Sequence, residues 1–485
     1  MKTVTRALVA AALLASASMA PAVAAENARP NFVILFADDL GYGDLGTFGH
    51  PTIATPNLDR MAAEGLKLTS FYAAPLCTPS RAALLTGRYP NRSGLYRVLF
   101  PEDTTGIPAG EVTLAEALGA EGYRTMAVGK WHLGHHSPFL PTENGFSSYF
   151  GLLYSNDMRP PRTEVPLRLY RNDQALPGEV DQGTLTERYT EEALRFLRES
   201  SDRPFFLYLA YTMPHLPLYA SERFAGKSRR GLYGDAVETI DWSVGEILRA
   251  LRENGHDDDT MVLFTSDNGP AISRGLQAGS AGLLRAGKGS SYEGGMREPC
   301  IMRWPSRIEP AQVRADVAST LDLFPTVLEL AGIAAPPDHR LDGRSIVPLL
   351  EGRPLASDHP LYYFKGGFLE AVREGKWKFR ETAAEGTGRA HEAAIAAFLE
   401  RTRSEGRSFT SAEVLGAAAV PELYDLDVDP SETSNVAGEH PEIVDRLRRQ
   451  MTELARSVVP GPAFDIATDD PEITERRRIG RPGPP

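Results

Sequence analysis

Several apolar, β-branched or aromatic runs in this chain end abruptly in polar residues. Phe32-Val33-Ile34-Leu35-Phe36-Ala37 stops at Asp38-Asp39, and Tyr123-Arg124-Thr125-Met126-Ala127-Val128 runs through Gly129 into Lys130-Trp131-His132. Phe205 to Ala210 is followed by Met213-Pro214-His215, and Met261 to Thr265 leads into Ser266-Asp267-Asn268-Gly269. A fifth run, around Cys300 to Trp304, carries no evident chemistry. Runs without polar alternation suit strands buried on both faces of a parallel sheet, and ligands of such sheets bind beyond the carboxyl ends. Between them Asn57–Glu64, Thr113–Glu121, Thr184–Arg198 and Asp235–Asn254 read as helices. In the last of these, Val237, Ile240, Val244, Ile247, Leu248 and Leu251 recur at helical spacing. The alternation predicts an α/β fold, with a large mostly parallel sheet sandwiched by helices.

The pattern shifts near Leu350. From Arg353 the chain is richer in charge and turns, with Pro360–Phe364, Trp377–Arg380 and Glu422–Leu426 as strands and Pro441–Val458 as an amphipathic helix. We read residues 26–352 as a catalytic domain and 353–475 as a smaller α+β domain. A polar insertion interrupts the second unit near 383–419, and a flexible basic tail follows at 476–485. Residues 1–25 read as a signal peptide: Lys2 and Arg6, then apolar Ala7–Ala15, then small residues at Ala22–Ala25. This places the mature protein outside the cytoplasm, periplasmic or secreted from a bacterium. No later stretch approaches a bilayer span, so stable membrane insertion is not expected.

The 485 residues carry 52 Lys and Arg against 64 Asp and Glu, a net charge of −12 that argues against nucleic acid as a partner. Cys77 and Cys300 are the two cysteines, so no disulfide framework holds the fold. Cys300 reads as buried and structural. Asp38, Asp39, Asp267 and Asn268 supply hard oxygen ligands from two strand ends, a set suited to Ca²⁺ or Mg²⁺. Either pair alone equally makes a helix cap or a turn. Cys77 opens Cys77-Thr78-Pro79-Ser80-Arg81, followed by Leu84-Leu85-Thr86-Gly87. Pro79 suits a first helical turn, which sets Cys77 at a helix N-terminus, where free N–H groups favour an anion.

That run resembles the signature of the sulfatase family within the alkaline-phosphatase-like superfamily, in the form of its arylsulfatase A and N-acetylgalactosamine-6-sulfatase branch. The resemblance spans Arg29 to about Leu454. It implies that Cys77 is oxidised to formylglycine by a maturation enzyme, and that the hydrated aldehyde attacks the sulfur of an aryl or carbohydrate sulfate ester. It implies a metal site, most often calcium, formed by Asp38, Asp39, Asp267 and Asn268 with the modified Cys77. Arg81, Lys130, His132, His215 and Lys288 match the family's cationic and proton-transferring residues, and Ser155 matches a further contact to sulfate. By the same resemblance Lys130, Ser155, His215 and Lys288 touch substrate. A phosphonate or phosphodiester hydrolase is the alternative within the superfamily. A non-catalytic binder of sulfated glycans is the alternative outside enzymes, if Cys77 stays a thiol or pairs with Cys300. Tyr154–Asp181 and Ala383–Ala419 map to no particular sugar or aryl group, and nothing in the sequence sets an oligomeric state.

Overall fold

The computed structural model describes residues 29–199, 203–356, 358–383, 409–410 and 419–458. The leader, most of the 383–419 insertion and the basic tail lie outside them. The strands of the larger sheet are β1 (Asn31–Ala37), β2 (Leu66–Tyr72), β3 (Arg124–Lys130), β4 (Ser148–Leu152), β5 (Tyr170–Arg171), β6 (Gln174–Ala175), β7 (Phe205–Ala210), β8 (Thr260–Ser266), β9 (Arg297–Arg303), β10 (Gln312–Arg314) and β11 (Ala318–Ser319). They run in the order β10-β2-β9-β8-β1-β7-β3-β4-β5-β6, with β11 beside β2.

The centre of this sheet, β8-β1-β7-β3-β4, is parallel throughout. Every residue of β1, β3, β7 and β8 is buried, which requires cover on both faces. Two groups of helices supply it. Leu185–Arg198 and Pro56–Ala63 pack on Leu232–Glu253, while Leu114–Ala120 and Leu323–Ala331 pack with Cys77–Thr86. Leu114–Ala120 starts at a capping box: Thr113 Oγ1 accepts from Glu116 N at 3.0 Å, and Glu116 Oε2 accepts from Thr113 N at 2.7 Å.

The run containing Cys300 departs from the parallel pattern. β9 is antiparallel to both β2 and β8. Its beginning, not its end, therefore lies at the carboxyl edge of the central strands, which explains why no chemistry follows Trp304. The short β4 and the alternating β2 complete the sheet without an uninterrupted apolar run to announce them.

A second sheet holds β12 (Leu361–Lys365), β13 (Phe368–Glu374), β14 (Trp377–Ala383), β15 (Phe409–Thr410) and β16 (Ala419–Asp425), in the order β12-β13-β14-β16 with β15 beside β13. The helix Pro441–Ser457 packs on it, burying Val444, Leu447, Met451 and Ala455. Among the described residues no helix is long and apolar enough to cross a membrane.

A buried ion cluster joins the two sheets. Glu293, just before β9, accepts from Lys378 Nζ of β14 at 2.9 Å, from the Tyr72 hydroxyl of β2 at 2.6 Å and from the Tyr363 hydroxyl of β12 at 3.1 Å. Lys378 also meets Glu432 at 2.8 Å. Burial alone would raise the Glu293 carboxyl, but Lys378, Arg373 and Arg297 outweigh it and bring it down to about 2. A carboxylate with a depressed folded-state value stabilises above its unfolded value and loses that contribution as pH falls toward the folded one. Glu293→Gln, which leaves a buried lysine short of one counterion, should cost about 3–5 kcal/mol at pH 7. Urea denaturation should show the gap from wild type widest above pH 4.5 and closing as pH falls toward about 2.

Candidate active site

Parallel register places the first carboxylates. Ala37 of β1 pairs with Ser266 of β8, so Asp38 and Asp267 leave adjacent strands side by side. Asp39 follows in a left-handed backbone conformation, φ 64°. Its N–H donates to Asp267 Oδ1 at 3.1 Å, locking the two strand ends together. Gly269 lets the next turn pass: a Cβ there would sit 1.9 Å from Gly294 O, so no other residue fits.

From the other side comes the helix Cys77–Thr86, buried along its whole length. Leu76 precedes it in extended conformation and offers no capping side chain. The Cys77 thiol donates to Asp38 Oδ1 at 3.6 Å and accepts from Lys288 Nζ at 3.4 Å. One turn on, Arg81 is fully buried. Its guanidinium donates to Asp267 Oδ2 at 2.8 Å and to Lys130 O at 2.7 Å, and lies 3.5 Å from Asp38 Oδ2.

β3 delivers Lys130, whose Nζ reaches Asp38 Oδ2 at 2.5 Å and Ser155 Oγ at 3.2 Å. The step before it must be glycine: Gly129 has φ 101° and a Cβ there would lie 1.8 Å from Ala210 O. His132 follows at φ 61°, a strained conformation of the kind found at functional sites. Its Nε2 meets Leu99 O at 2.9 Å, while Nδ1 is buried without a partner among the described residues. The carbonyl requires the proton on Nε2, leaving a lone pair on Nδ1. Burial, then the charges of Lys130 and Arg81, hold this imidazole well below the ordinary histidine range, and so neutral.

His215 arrives from the loop after β7. Its Nδ1 is 3.0 Å from Asn156 Oδ1 and 2.6 Å from Leu216 O, which turns Nε2 toward Asp39 Oδ2 at 3.7 Å. Burial and the Lys288 charge bring it down to about 4, against the opposing pull of Asp39 and Asp38. Lys288 closes the ring with Nζ 2.6 Å from Asp39 Oδ1. Burial would lower its value, but Asp39 more than compensates and keeps the amine charged.

All eleven residues expected from the sequence thus converge at the carboxyl ends of β1, β3, β4, β7 and β8, joined by the Cys77 helix and the Lys288 loop. Asn156 is an addition. It neighbours Ser155 in sequence, but its link to His215 spans a contact that local pattern does not signal. Cys300 is buried and free, as is Cys77, so the two are not bridged. Burial, against the partial relief of Lys130 and Lys288, pushes the Cys77 thiol up to about 12.

Asp38, Asp39 and Cys77, with His215, offer ligand atoms within 4.8 Å of one another. The Asn268 amide donates to Asp39 Oδ1 at 2.7 Å and to Gly269 O at 3.0 Å, and its Oδ1 is buried with no partner among the described residues. An orphaned buried oxygen beside two carboxylates, held below the usual range by neighbouring cations despite burial, fits a hard cation.

Residues 30–333 match the family model described as Sulfatase, and residues 356–471 match the C-terminal region of aryl-sulfatase. Arylsulfatase A of Homo sapiens is 40% identical over 487 residues, covering 92% of both chains. N-acetylgalactosamine-6-sulfatase of Canis lupus familiaris is 45% identical over 371 residues, covering 72% of this chain and 71% of that one. Among solved structures, Ps i-CgsB in complex with k-i-k-neocarrahexaose superposes with a TM-score of 0.76 at 28% identity, over 93% of this chain and 98% of that one. With most of its length matched in sequence and fold, this chain belongs to the sulfatase family, whose members hydrolyse sulfuric esters.

Proposed function

We propose that the chain cleaves an aryl or carbohydrate sulfate ester through a formylglycine formed at position 77, beside an oxygen-ligated Ca²⁺ or Mg²⁺. The observation that carries this reading is the ring of three carboxylates and three fixed cations around Cys77. Asp38, Asp39 and Asp267 are balanced by Arg81, Lys130 and Lys288. A divalent ion then leaves the ring positive by two, which suits an anionic ester. A thiol pushed up to about 12 is a poor nucleophile at neutral pH, so the unmodified residue does not account for the site.

Asp38, Asp39, Asp267 and Asn268, with the converted side chain, would hold the ion. When present, the ion neutralises nonbridging sulfate oxygens and the hydrated aldehyde supplies a hydroxyl nucleophile. The remaining work falls to this chain's own groups. Arg81 and Lys130 fix the carboxylates and position 77, and Lys130 with Ser155 points two donors at the sulfate end. Asp267 accepts the proton of the attacking hydroxyl. Lys288 Nζ, kept charged on the less buried side, stabilises and protonates the leaving oxygen, with His215 Nε2 beside it. His132 Nδ1 takes the proton that allows sulfate to leave.

The names N-acetylgalactosamine-6-sulfatase and the neocarrahexaose complex support a carbohydrate sulfate, and the name arylsulfatase A an aryl one. The leader at residues 1–25 supports export, and a formylglycine-generating enzyme is the implied maturation partner. Residues 26–352 would form the catalytic domain and 353–475 the smaller one.

The peptide spanning Cys77, from protein made in its natural host, should show by mass spectrometry the loss expected for thiol-to-aldehyde conversion. Sulfate release from a chromogenic aryl sulfate should vanish in Cys77→Ala and in protein stripped of divalent ions, and should exceed turnover of the matched phosphate ester. An unmodified thiol in native protein sinks the reading. Lys288→Ala, which removes one charged donor, should lower kcat roughly 10²–10³-fold. Protein made without the maturation enzyme should resist alkylation at position 77 at pH 8 until unfolded, because the thiol is buried and protonated.

A further inference from the structure

Thr78 is the peptide neighbour of position 77. A threonine inside a helix commonly turns its hydroxyl back on a carbonyl of the preceding turn, but Thr78 lies in the first turn of Cys77–Thr86, where no such turn precedes it. Its Oγ1 instead donates to His132 O at 2.9 Å and accepts from Leu99 N at 3.2 Å, partners 54 and 21 residues away. The direction of both bonds is fixed, because a backbone carbonyl only accepts and a backbone N–H only donates.

The two bonds converge on one side chain. Leu99 O is the acceptor of His132 Nε2 at 2.9 Å, so the residue whose N–H meets Thr78 is also the residue whose carbonyl sets the His132 tautomer. One hydroxyl thus ties His132 at two points, directly through its backbone carbonyl and indirectly through its ring. Thr78, Leu99 and His132 are all buried. Both partners depend on such a tie. His132 has a backbone φ of 61°, a conformation that persists only where its surroundings over-determine it. Leu99 lies between the helices Pro90–Ser93 and Leu114–Ala120, in a stretch with no helix or strand to hold its carbonyl in place.

We propose that Thr78 is a positioning residue for His132, fixing the imidazole, with its Nδ1 lone pair free, relative to the adjoining position 77. The consequence for turnover rests on the proton transfer assigned to His132 above, whereas the placement of the ring does not. The step that Thr78 serves is the last one, release of sulfate, and not the release of the alcohol.

Thr78→Val keeps the side-chain shape and removes both bonds, and Thr78→Ser keeps the hydroxyl. In full-length protein carrying the unconverted cysteine, nitrogen-15 spectra of the histidines, assigned with His132→Gln, should show His132 protonated on Nε2 alone. That Nε2–H should exchange with solvent about tenfold faster in Thr78→Val, the factor one net hydrogen bond makes, and at the wild-type rate in Thr78→Ser. In matured protein, with rates counted per converted site, Thr78→Val should lower kcat about tenfold to a hundredfold. KM should fall in parallel, leaving kcat/KM within about threefold of wild type, and a burst of one alcohol per site should precede the slow steady state. Thr78→Ser should restore kcat. Unchanged exchange, a loss of kcat/KM without a burst, or failure of serine to rescue would each overturn the proposal. Faster exchange with wild-type kcat overturns it too, and His132→Gln then tells whether the catalytic reading falls with it: kcat is lost if that reading holds and kept if it does not. Should Thr78→Val fail to fold, the wild type decides, since a mixed His132 tautomer or a freely exchanging Thr78 hydroxyl overturns the placement and a single tautomer with a protected hydroxyl supports it.

Discussion

Three carboxylates buried at neighbouring strand ends are the constraint from which most of this architecture follows. Asp38 and Asp267 emerge together because β1 and β8 are parallel and in register, and Asp39 is tied to Asp267 through its own backbone. An uncompensated charge in such a place costs several kcal/mol, so the fold closes only if cations arrive with it. They come from three distant segments: Arg81 from a helix, Lys130 from β3 and Lys288 from a glycine-rich loop. Arg81 is suited to the deepest position because its planar fork bonds Asp267 and a backbone carbonyl simultaneously. Glu298, also buried near these aspartates, has no such partner among the described residues, and burial, then the charges of Asp267 and Asp39, push its carboxyl well above the usual range.

The same logic binds the smaller sheet to the larger. The segment from Gly287 to Arg297 carries Lys288 toward the ion ring and, five residues on, Glu293 into the inter-sheet cluster. Close backbone approaches hold it: Gly269, next to Asn268, leaves no room for a side chain against Gly294. Lys288 N also donates to Pro270 O at 3.0 Å, anchoring the loop beside the Asp267-Asn268 strand end. Docking of β14 on Glu293 therefore helps position an amine on the other side of that segment. The smaller sheet is mechanically part of the site although none of its described side chains belongs to the ion ring.

What was legible in the sequence was the termination of strands. β1, β3, β7 and β8 each announced themselves as apolar runs, and polar residues at or shortly beyond their ends are the ones the fold turned to the site: Asp38, Lys130, His215 and Asp267. The sulfate assignment came from resemblance, carried by Cys77 to Gly87, because periodicity says nothing of sulfur. Three things escaped. β2 alternates polar and apolar residues and β4 has five residues including a glycine, so neither forms a strong apolar run. The reversed direction of β9 is a pairing property that no local pattern encodes. Glu293 sits in a Glu-Gly-Gly stretch that reads as a loop, and its partners lie 70 to 221 residues away. Buried ion clusters are assembled by topology, and their members look like surface residues until the topology is known.

Exposure across the ring gives the pocket a direction. The side chains of Arg81, Lys130, Asp38 and Asp267 are wholly inaccessible, that of His215 is 10% exposed and that of Lys288 is 18% exposed. An anion entering past Lys288 meets its most strongly fixed counter-charges at the bottom. On the proposed reading the sulfate end of the ester goes in first, and the alcohol portion stays on the side of His215 and Lys288. In-line displacement needs nucleophile and leaving oxygen on opposite sides of sulfur. Position 77 lies deep against Asp38, whereas His215 and Lys288 stand toward the mouth. Alcohols of different size then differ chiefly in what they touch outside the ring. Tyr154–Asp181, Ser155 apart, maps to no particular sugar or aryl group.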